Sequence, residues 1–282
     1  MKQNKYSVLT YIFNNGDILR DAPKDDNIEY ICVTDNPNLQ SDTWKIIVDE
    51  DLKYYDSELA SFYVRYHPFK YCSGDICIRI DGSIQINKSL FSIFKEFEDS
   101  GNDICVMTNS RAININRELC WWMQSIYKDV KRKQVELYDK LGIDIDKEGV
   151  IQSPISITRN NDLCNSCDAL CYKMIEDLST KEITARPTQV IMTVAIQLTE
   201  GLKIMFVDEN LIQSDTMQWH GHNNTRKRKS IFCIKHNYFF DKPVIIHNFN
   251  GVHYNNDLVQ REAKTGKLFS NIFDIRKQLS SE

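Results

Sequence analysis

The tripeptide Asp81-Gly82-Ser83 closes the apolar run Ile76-Cys77-Ile78-Arg79-Ile80 with a carboxylate and, two residues on, a hydroxyl. Such a short isoleucine-rich run predicts a buried strand, and in open α/β sheets the space beyond the carboxyl ends of the strands is where ligands bind. A carboxylate placed there can hold a hard divalent cation, Mg²⁺ or Mn²⁺, against the oxygens of a diphosphate. Ser83 can add an oxygen or orient a metal-bound water. The chemistry this serves is electrostatic: negative charge growing on a departing phosphate is neutralised as it forms. The same three residues also suit an ordinary turn, since Asp and Gly are common turn formers.

The elements around the tripeptide decide between a turn and a site. The β-branched and aromatic segment Tyr6-Ser7-Val8-Leu9-Thr10-Tyr11-Ile12-Phe13 predicts a strand ending in the turn Asn14-Asn15-Gly16-Asp17, and Ile28-Glu29-Tyr30-Ile31-Cys32-Val33-Thr34 predicts another ending at Asp35-Asn36-Pro37. Three strands therefore end in Asp-containing tips. A helix from about Ser57 to Tyr71 carries Arg65, His67 and Lys70, with Pro68 bending or stopping it near its end. Past Asp81 come a helix near Ser89 to Glu98, the strand Ile104-Cys105-Val106-Met107 and a tip bearing Arg111. Glu118 to Leu141 has the amphipathic pattern of a solvated helix pair, with Trp121 and Trp122 turned inward. The segment Gly149 to Arg159 reads as an edge strand, because Pro154 removes a ladder donor. Pro187 marks the first turn of a further helix with Gln189 one turn inside. Strands alternating with helices along the chain predict an α/β fold.

Five ordered blocks carry a resemblance. They are Tyr11 to Leu19, Tyr30 to Asn36, Trp44-Lys45-Ile46, Arg65-Tyr66-His67-Pro68 and Ile80 to Ile84, and together they resemble a glycosyltransferase-like family formerly classed as a domain of unknown function, with plant members. The resemblance covers the first half of the chain well and the second half loosely. It implies a GT-A-like, Rossmann-type mixed sheet flanked by helices in a single domain over residues 1–282, with a nucleotide-sugar-binding half (1–110) and an acceptor-side half (111–282) ending in a helix. It implies transfer of a sugar from a nucleotide-diphosphate donor to a glycan or lipid-linked acceptor, in polysaccharide or cell-surface glycan synthesis, with Mn or Mg as cofactor.

By position, the resemblance puts Asp81 and Ser83 where the family has an Asp-x-Asp metal motif, so the second carboxylate is replaced by a hydroxyl. His247, at the tip of a predicted strand Pro243-Val244-Ile245-Ile246, would complete the metal shell, and Gly251 would let backbone approach the diphosphate. Phe13, Asn15, Asp17 and Asp35 would meet base and ribose, and Arg65, Lys70 and Arg111 the phosphates or sugar. Arg186 and Gln189 flank the position where the family has a catalytic Asp, which is Pro187-Thr188 here. The Ser83 and Pro187 departures motivate a competing reading, a protein of the same fold that binds a nucleotide or glycan without turnover.

Composition narrows the classes further. The formal charge of −4 over 282 residues argues against a generic nucleic-acid binder. No apolar run approaches the ~20 residues of a bilayer span and the N-terminus lacks an apolar signal core, so the expected location is cytoplasmic. The basic run Arg226-Lys227-Arg228-Lys229 suits a solvated loop or peripheral contact with an anionic membrane. Nine scattered cysteines fit a reduced protein. Cys164, Cys167 and Cys171 share a helical face with Met174, Ile175 and Leu178, the pattern of a core stripe; the alternative, a zinc or iron–sulfur site, lacks an evident fourth ligand.

Overall fold

The structure is a computed structural model that describes residues 5–108, 114–121, 128–147, 149–178, 188–207 and 215–219. β1 (Tyr6–Ile12) and β2 (Ile28–Thr34) pair in parallel along their whole length, and β3 (Lys45–Val48) continues the sheet beyond β2. After a 3₁₀ turn at Glu50–Tyr54, α1 (Ser57–Tyr66) starts on Asp56, whose side chain accepts the Leu59 N–H. Pro68 ends it as expected. The proline has no N–H for a continuing helix and instead opens a second short one, α2 (Pro68–Tyr71).

β4 (Ile76–Ile80) then enters on the other side of β1, again in parallel. Beyond it lie β5 (Ile84–Ile86), α3 (Phe91–Ser100), β6 (Ile104–Thr108), α4 (Ile115–Trp121), α5 (Lys128–Lys140), β7 (Ile151–Arg159), α6 (Asp162–Leu178), α7 (Thr188–Leu198), β8 (Ile204–Val207) and β9 (Met217–Trp219). Seven strands form one mixed sheet in the order β3-β2-β1-β4-β7-β6-β8, and β5 pairs with β9 in a separate ribbon. Two helices, α4 and α5, do fall in the region expected over Glu118 to Leu141, but α4 is not solvated: Ile115, Glu118 and Leu119 are buried, and α5 buries Val135 and Tyr138; the inward packing expected of Trp121 and Trp122 lies outside the described side chains. Among the described residues no helix is long and apolar enough to cross a membrane.

Period-two alternation divides the strand side chains between the two faces of the sheet. Val8 and Ile12 of β1 and Ile76, Ile78 and Ile80 of β4 face Phe94 and Phe97 of α3. Leu9 and Tyr11, with Phe13 just beyond the strand, share the opposite face with Val64 of α1. Farther along the sheet, α6 and α7 cover Ile104, Val106 and Ile151. Most of the stripe expected on α6 belongs to this core region: Cys167, Cys171, Met174 and Ile175 pack in it, Cys164 is buried at the start of the helix, and the Leu178 side chain lies outside those described.

β7 corrects one expectation. It is not an edge strand but lies between β4 and β6, antiparallel to both. Pro154 is tolerated because the β6 register jumps there: Val106 pairs with Ser156 but Met107 pairs with Gln152, so Ser153, Pro154 and Ile155 bulge away from β6. On its other side the Pro154 carbonyl still accepts the Asp81 N–H at 3.1 Å. The missing donor therefore falls where no ladder bond is required.

The start of β1 is tied to the end of α3 through Glu98, which accepts from the Tyr6 hydroxyl at 2.8 Å and pairs with Lys5 and Lys95. The hydrogen bonds from Lys5, Lys95 and Tyr6 lower the Glu98 carboxyl to about 2. A carboxylate whose pKa is depressed on folding contributes stability above its unfolded value, ~4.3, and loses it as pH falls toward the folded one. Glu98→Gln is thus expected to remove part of the stability loss between about pH 4.5 and pH 2, which urea midpoints across that range would register; an unchanged acid limb would show that Glu98 does not contribute to it.

Candidate functional site

The strand order places a topological switch between β1 and β4. From β1 the chain goes to β2 and β3 on one side and then returns to lay β4 on the other, and the crevice beyond the carboxyl ends of two such strands is the ligand-binding position of open α/β sheets. The tips that flank this crevice are the turn after β1 and Asp81-Gly82-Ser83 after β4. They are pressed together: a β-carbon on Gly82 would lie 2.8 Å from Ile12 Cγ1, 3.1 Å from the Tyr11 carbonyl oxygen and 3.2 Å from Asp17 Cβ. Only glycine lets β4 turn this close to β1.

Asp81 is the centre of the arrangement. Its Oδ1 accepts from the Tyr11 hydroxyl at 3.0 Å and from Arg65 Nη2 at 2.5 Å, while the Arg65 guanidinium also lies over the Tyr11 ring, 5.6 Å from its centroid. The Arg65 side chain is 5% exposed and that of Asp81 22%, so the cation is sealed beneath and the carboxylate reaches the surface. Burial alone would weaken the charged guanidinium, but Tyr11 and Asp81 more than offset it and hold Arg65 firmly protonated. Burial, followed by the Asp81 charge, pushes the Tyr11 phenol well above its ordinary value despite Arg65, so it stays a donor.

Beneath this pair lies a second one. Arg79 shares the strand face of Asp81 two residues earlier, is fully buried, and donates to Asp168 Oδ1 of α6 at 2.6 Å, to Ser156 Oγ of β7 at 2.9 Å and to the Arg65 carbonyl oxygen at 3.1 Å. β4 therefore holds Arg65 twice, its backbone through Arg79 and its guanidinium through Asp81. Arg79, Asp168 and Tyr11 were not singled out from the sequence as site residues. Arg79 had a visible signal, a charge inside an apolar run; Tyr11 and Asp168 had none that spacing alone could supply.

The β1 and β2 tips interlock beside the crevice. Asn14 and Asn15 both adopt left-handed backbone (φ 53° and 49°) and the Gly16 N–H closes the turn on the Phe13 carbonyl at 2.9 Å. Both Asp35 oxygens accept the Asn14 N–H, at 3.0 and 2.9 Å, and Asn36 Nδ2 donates to Asn15 Oδ1 at 3.1 Å. Phe13 itself is buried in the core, so at this turn it offers its backbone rather than its ring.

The structure gathers only some of the expected residues. Asp81, Arg65 and Asp17 meet at the switch point, with Asn15 and Asp35 on the adjacent tips, and Ser83 is fully buried in the turn below Asp81. Lys70 is drawn elsewhere, to Asp49 at the tip of β3, 3.0 Å away, where Tyr71 also donates at 2.7 Å. Burial acts to raise the Asp49 carboxyl, yet these two hydrogen bonds hold it below its usual range. Gln189 lies in the first turn of α7, next to Thr188, whose hydroxyl is 3.5 Å from that of Ser153 in the β7 bulge. Arg111, Arg186, His247 and Gly251 lie outside the described residues.

A divalent cation fits the described residues in one way. Among them no three His, Cys, Asp or Glu side chains gather into a metal cluster. Mg²⁺ and similar hard ions can, however, bind through one or two carboxylates while waters and substrate phosphates fill the remaining positions. Asp81 suits that mode, since Oδ1 is held by Arg65 and Tyr11 and its Oδ2 has no partner among the described residues.

No family model and no curated protein matches the chain. Among solved structures it is similar to the galactosyltransferase LgtC in complex with donor and acceptor sugar analogs, at 12% identity over 72% of this chain and 74% of that one, with a TM-score of 0.41. It is also similar to mouse xyloside xylosyltransferase 1 in its apo form (11% identity, 72% and 85% covered, TM-score 0.39). A third likeness is to a putative glucose-1-phosphate thymidylyltransferase from Bacillus anthracis (11% identity, 79% and 93% covered, TM-score 0.39). At these identities and TM-scores the likenesses assign no activity to this chain.

Proposed function

We propose that the protein is a glycosyltransferase that moves a sugar from a nucleotide-diphosphate donor to a hydroxyl of a glycan or lipid-linked acceptor, with residues 1–110 as the donor half. The observation that carries this reading is the partly exposed Asp81 carboxylate, backed by buried Arg65, at the switch point between β1 and β4. The five sequence blocks that resemble a glycosyltransferase-like family fall on the tips of β1 and β4, on β2 and its tip, on the start of β3 and on the junction of α1 and α2.

A bound Mg²⁺ or Mn²⁺ would supply Lewis-acid neutralisation of the diphosphate as the glycosidic bond breaks. Asp81 is the described residue placed to hold it. Arg65 presents a planar fork of donors to phosphate oxygens, a geometry that lysine lacks. The Asn14-Asn15 turn and Asp35 form the rim on which base and ribose would rest, and the α7 N-terminus with Gln189, beyond the β7 bulge, is the proposed acceptor side.

Thermal denaturation with UDP, GDP, CDP, ADP or dTDP, each with Mn²⁺, tests the donor site. A ligand at 100 times its Kd adds about 2.7 kcal/mol to the native state, a rise on the order of 5 °C for a chain of this size. One nucleotide is expected to give that rise in wild type, and the part of the rise that EDTA abolishes is expected to be lost in Asp81→Ala. Equal EDTA-sensitive shifts in both proteins, or no shift with any base, would overturn the assignment of the site.

A further inference from the structure

We propose that Arg65 and a divalent cation compete for Asp81, so that Arg65 keeps the cation affinity of the resting site low until a diphosphate draws the guanidinium away. This rests on the donor-site reading above and concerns how that site is loaded.

The competition follows from the charges at the tip of β4. Asp81 has one carboxylate, and Arg65 Nη2 lies 2.5 Å from Oδ1, so the pair is neutral as it stands. Two residues on, Ser83 brings no second negative charge. A cation on Asp81 would thus sit beside a permanently charged guanidinium. Arg65 cannot simply swing into water, because its side chain is 5% exposed, lies over the Tyr11 ring, and its carbonyl is held by Arg79 at 3.1 Å. Like charges held this close disfavour each other strongly, the more so where solvent is excluded.

Arg65 is also under-used. Its Nε–H is buried without a hydrogen-bond partner among the described residues, where Asp81 engages the guanidinium through Nη2. A buried donor left unmade carries a penalty that an arriving acceptor removes. A diphosphate offers several anionic oxygens suited to the guanidinium fork. Turning the guanidinium from Oδ1 toward a diphosphate seated in the crevice, with the Arg65 backbone still held by Arg79, frees Asp81 Oδ1 and neutralises the charge that repels the cation. Diphosphate and cation then favour each other's binding, and linkage requires the coupling to be reciprocal.

Two titrations of the full chain test this without any turnover. In the first, free Mn²⁺ is followed by electron paramagnetic resonance with no nucleotide present. Arg65→Met is expected to bind Mn²⁺ at least tenfold more tightly than wild type, Arg65→Lys about as weakly as wild type because the charge remains, and Asp81→Asn not measurably. In the second, inorganic pyrophosphate is titrated by calorimetry in EDTA. Asp81→Asn, which releases the guanidinium, should bind it more tightly than wild type, and Arg65→Met should lose it.

Far-UV circular dichroism checks that each variant is folded. Arg65→Gln, neutral but still able to donate to Asp81, replaces Arg65→Met if that protein does not fold. Unchanged Mn²⁺ affinity in the neutral Arg65 variants, with binding still lost in Asp81→Asn, would overturn the competition and leave the donor site standing. Weaker pyrophosphate binding in Asp81→Asn would also overturn it. Mn²⁺ binding by Asp81→Asn equal to wild type would remove the cation from Asp81 and with it the reading on which the competition rests.

Discussion

Arg79→Met is expected to lower the unfolding free energy by about 3–5 kcal/mol, the largest stability loss of any single change considered for this protein. Arg79 is fully buried and the Asp168 side chain is 4% exposed, so removing one partner strands a charge away from water. The pair itself is not a comfortable one. Arg79 Nη2 and Asp168 Oδ2 are buried without partners among the described residues, and burial pushes the Asp168 carboxyl above its ordinary range although Arg79 pulls it down. A buried pair in that condition gives up in desolvation much of what it gains by attraction, and apolar replacement of both partners is often neutral or stabilising. The double variant Arg79→Met/Asp168→Leu should therefore be clearly more stable than Arg79→Met alone, which urea midpoints at constant m would show. Losses that simply add in the double variant would mean that neither residue depends on the other. If the double variant folds but binds pyrophosphate more weakly than wild type, the pair's contribution lies in holding the Arg65 backbone for its work above.

Much of this architecture can be read in the residues, and the parts that cannot share a physical cause. The β-branched and aromatic run Tyr6 to Ile12 and the apolar run Ile76 to Ile80 mark their strands because both faces of each are buried, and Asp81 at the end of the second run marks a tip. Pro68 announces the break between α1 and α2 through its own missing donor. Pro154 misleads for the same reason. Local chemistry says that a ladder bond is lost, but whether one was needed depends on the distant β6 register. β8 and β9 are short, and their pairing with β6 and β5 is set by partners about a hundred residues or more away. The candidate site divides likewise. Asp81, Arg65 and the Asp35 tip follow from position along the chain. The Arg79–Asp168 contact spans 89 residues and that of Tyr11 with Asp81 spans 70, so only the folded sheet brings them together. Lys70, five residues from Arg65, shows the limit of proximity in sequence, since α2 turns it toward Asp49.

Asp81→Asn should reduce sugar transfer by about 10²–10³, the loss that follows removal of one group stabilising charge in a transition state. The substitution preserves volume and leaves an oxygen able to accept from the Tyr11 hydroxyl, which lies 3.0 Å from Oδ1, so the tip can keep its shape. What changes is charge. Arg65, sealed at 5% exposure, loses its counter-ion, and the crevice loses a carboxylate whose second oxygen has no partner among the described residues. The effect should fall mainly on kcat, because a loss confined to the transition state lowers kcat and kcat/KM together, whereas a loss of uniform binding raises KM alone. Initial rates against donor concentration, measured with the nucleotide sugar whose base gave the thermal shift, separate the two. A change in KM alone would make Asp81 a binding residue only. Binding of that donor by wild type with no transfer to any acceptor would instead favour the competing reading, a protein that retains the sheet and the crevice but performs no chemistry there, consistent with a serine at position 83 and a proline at position 187.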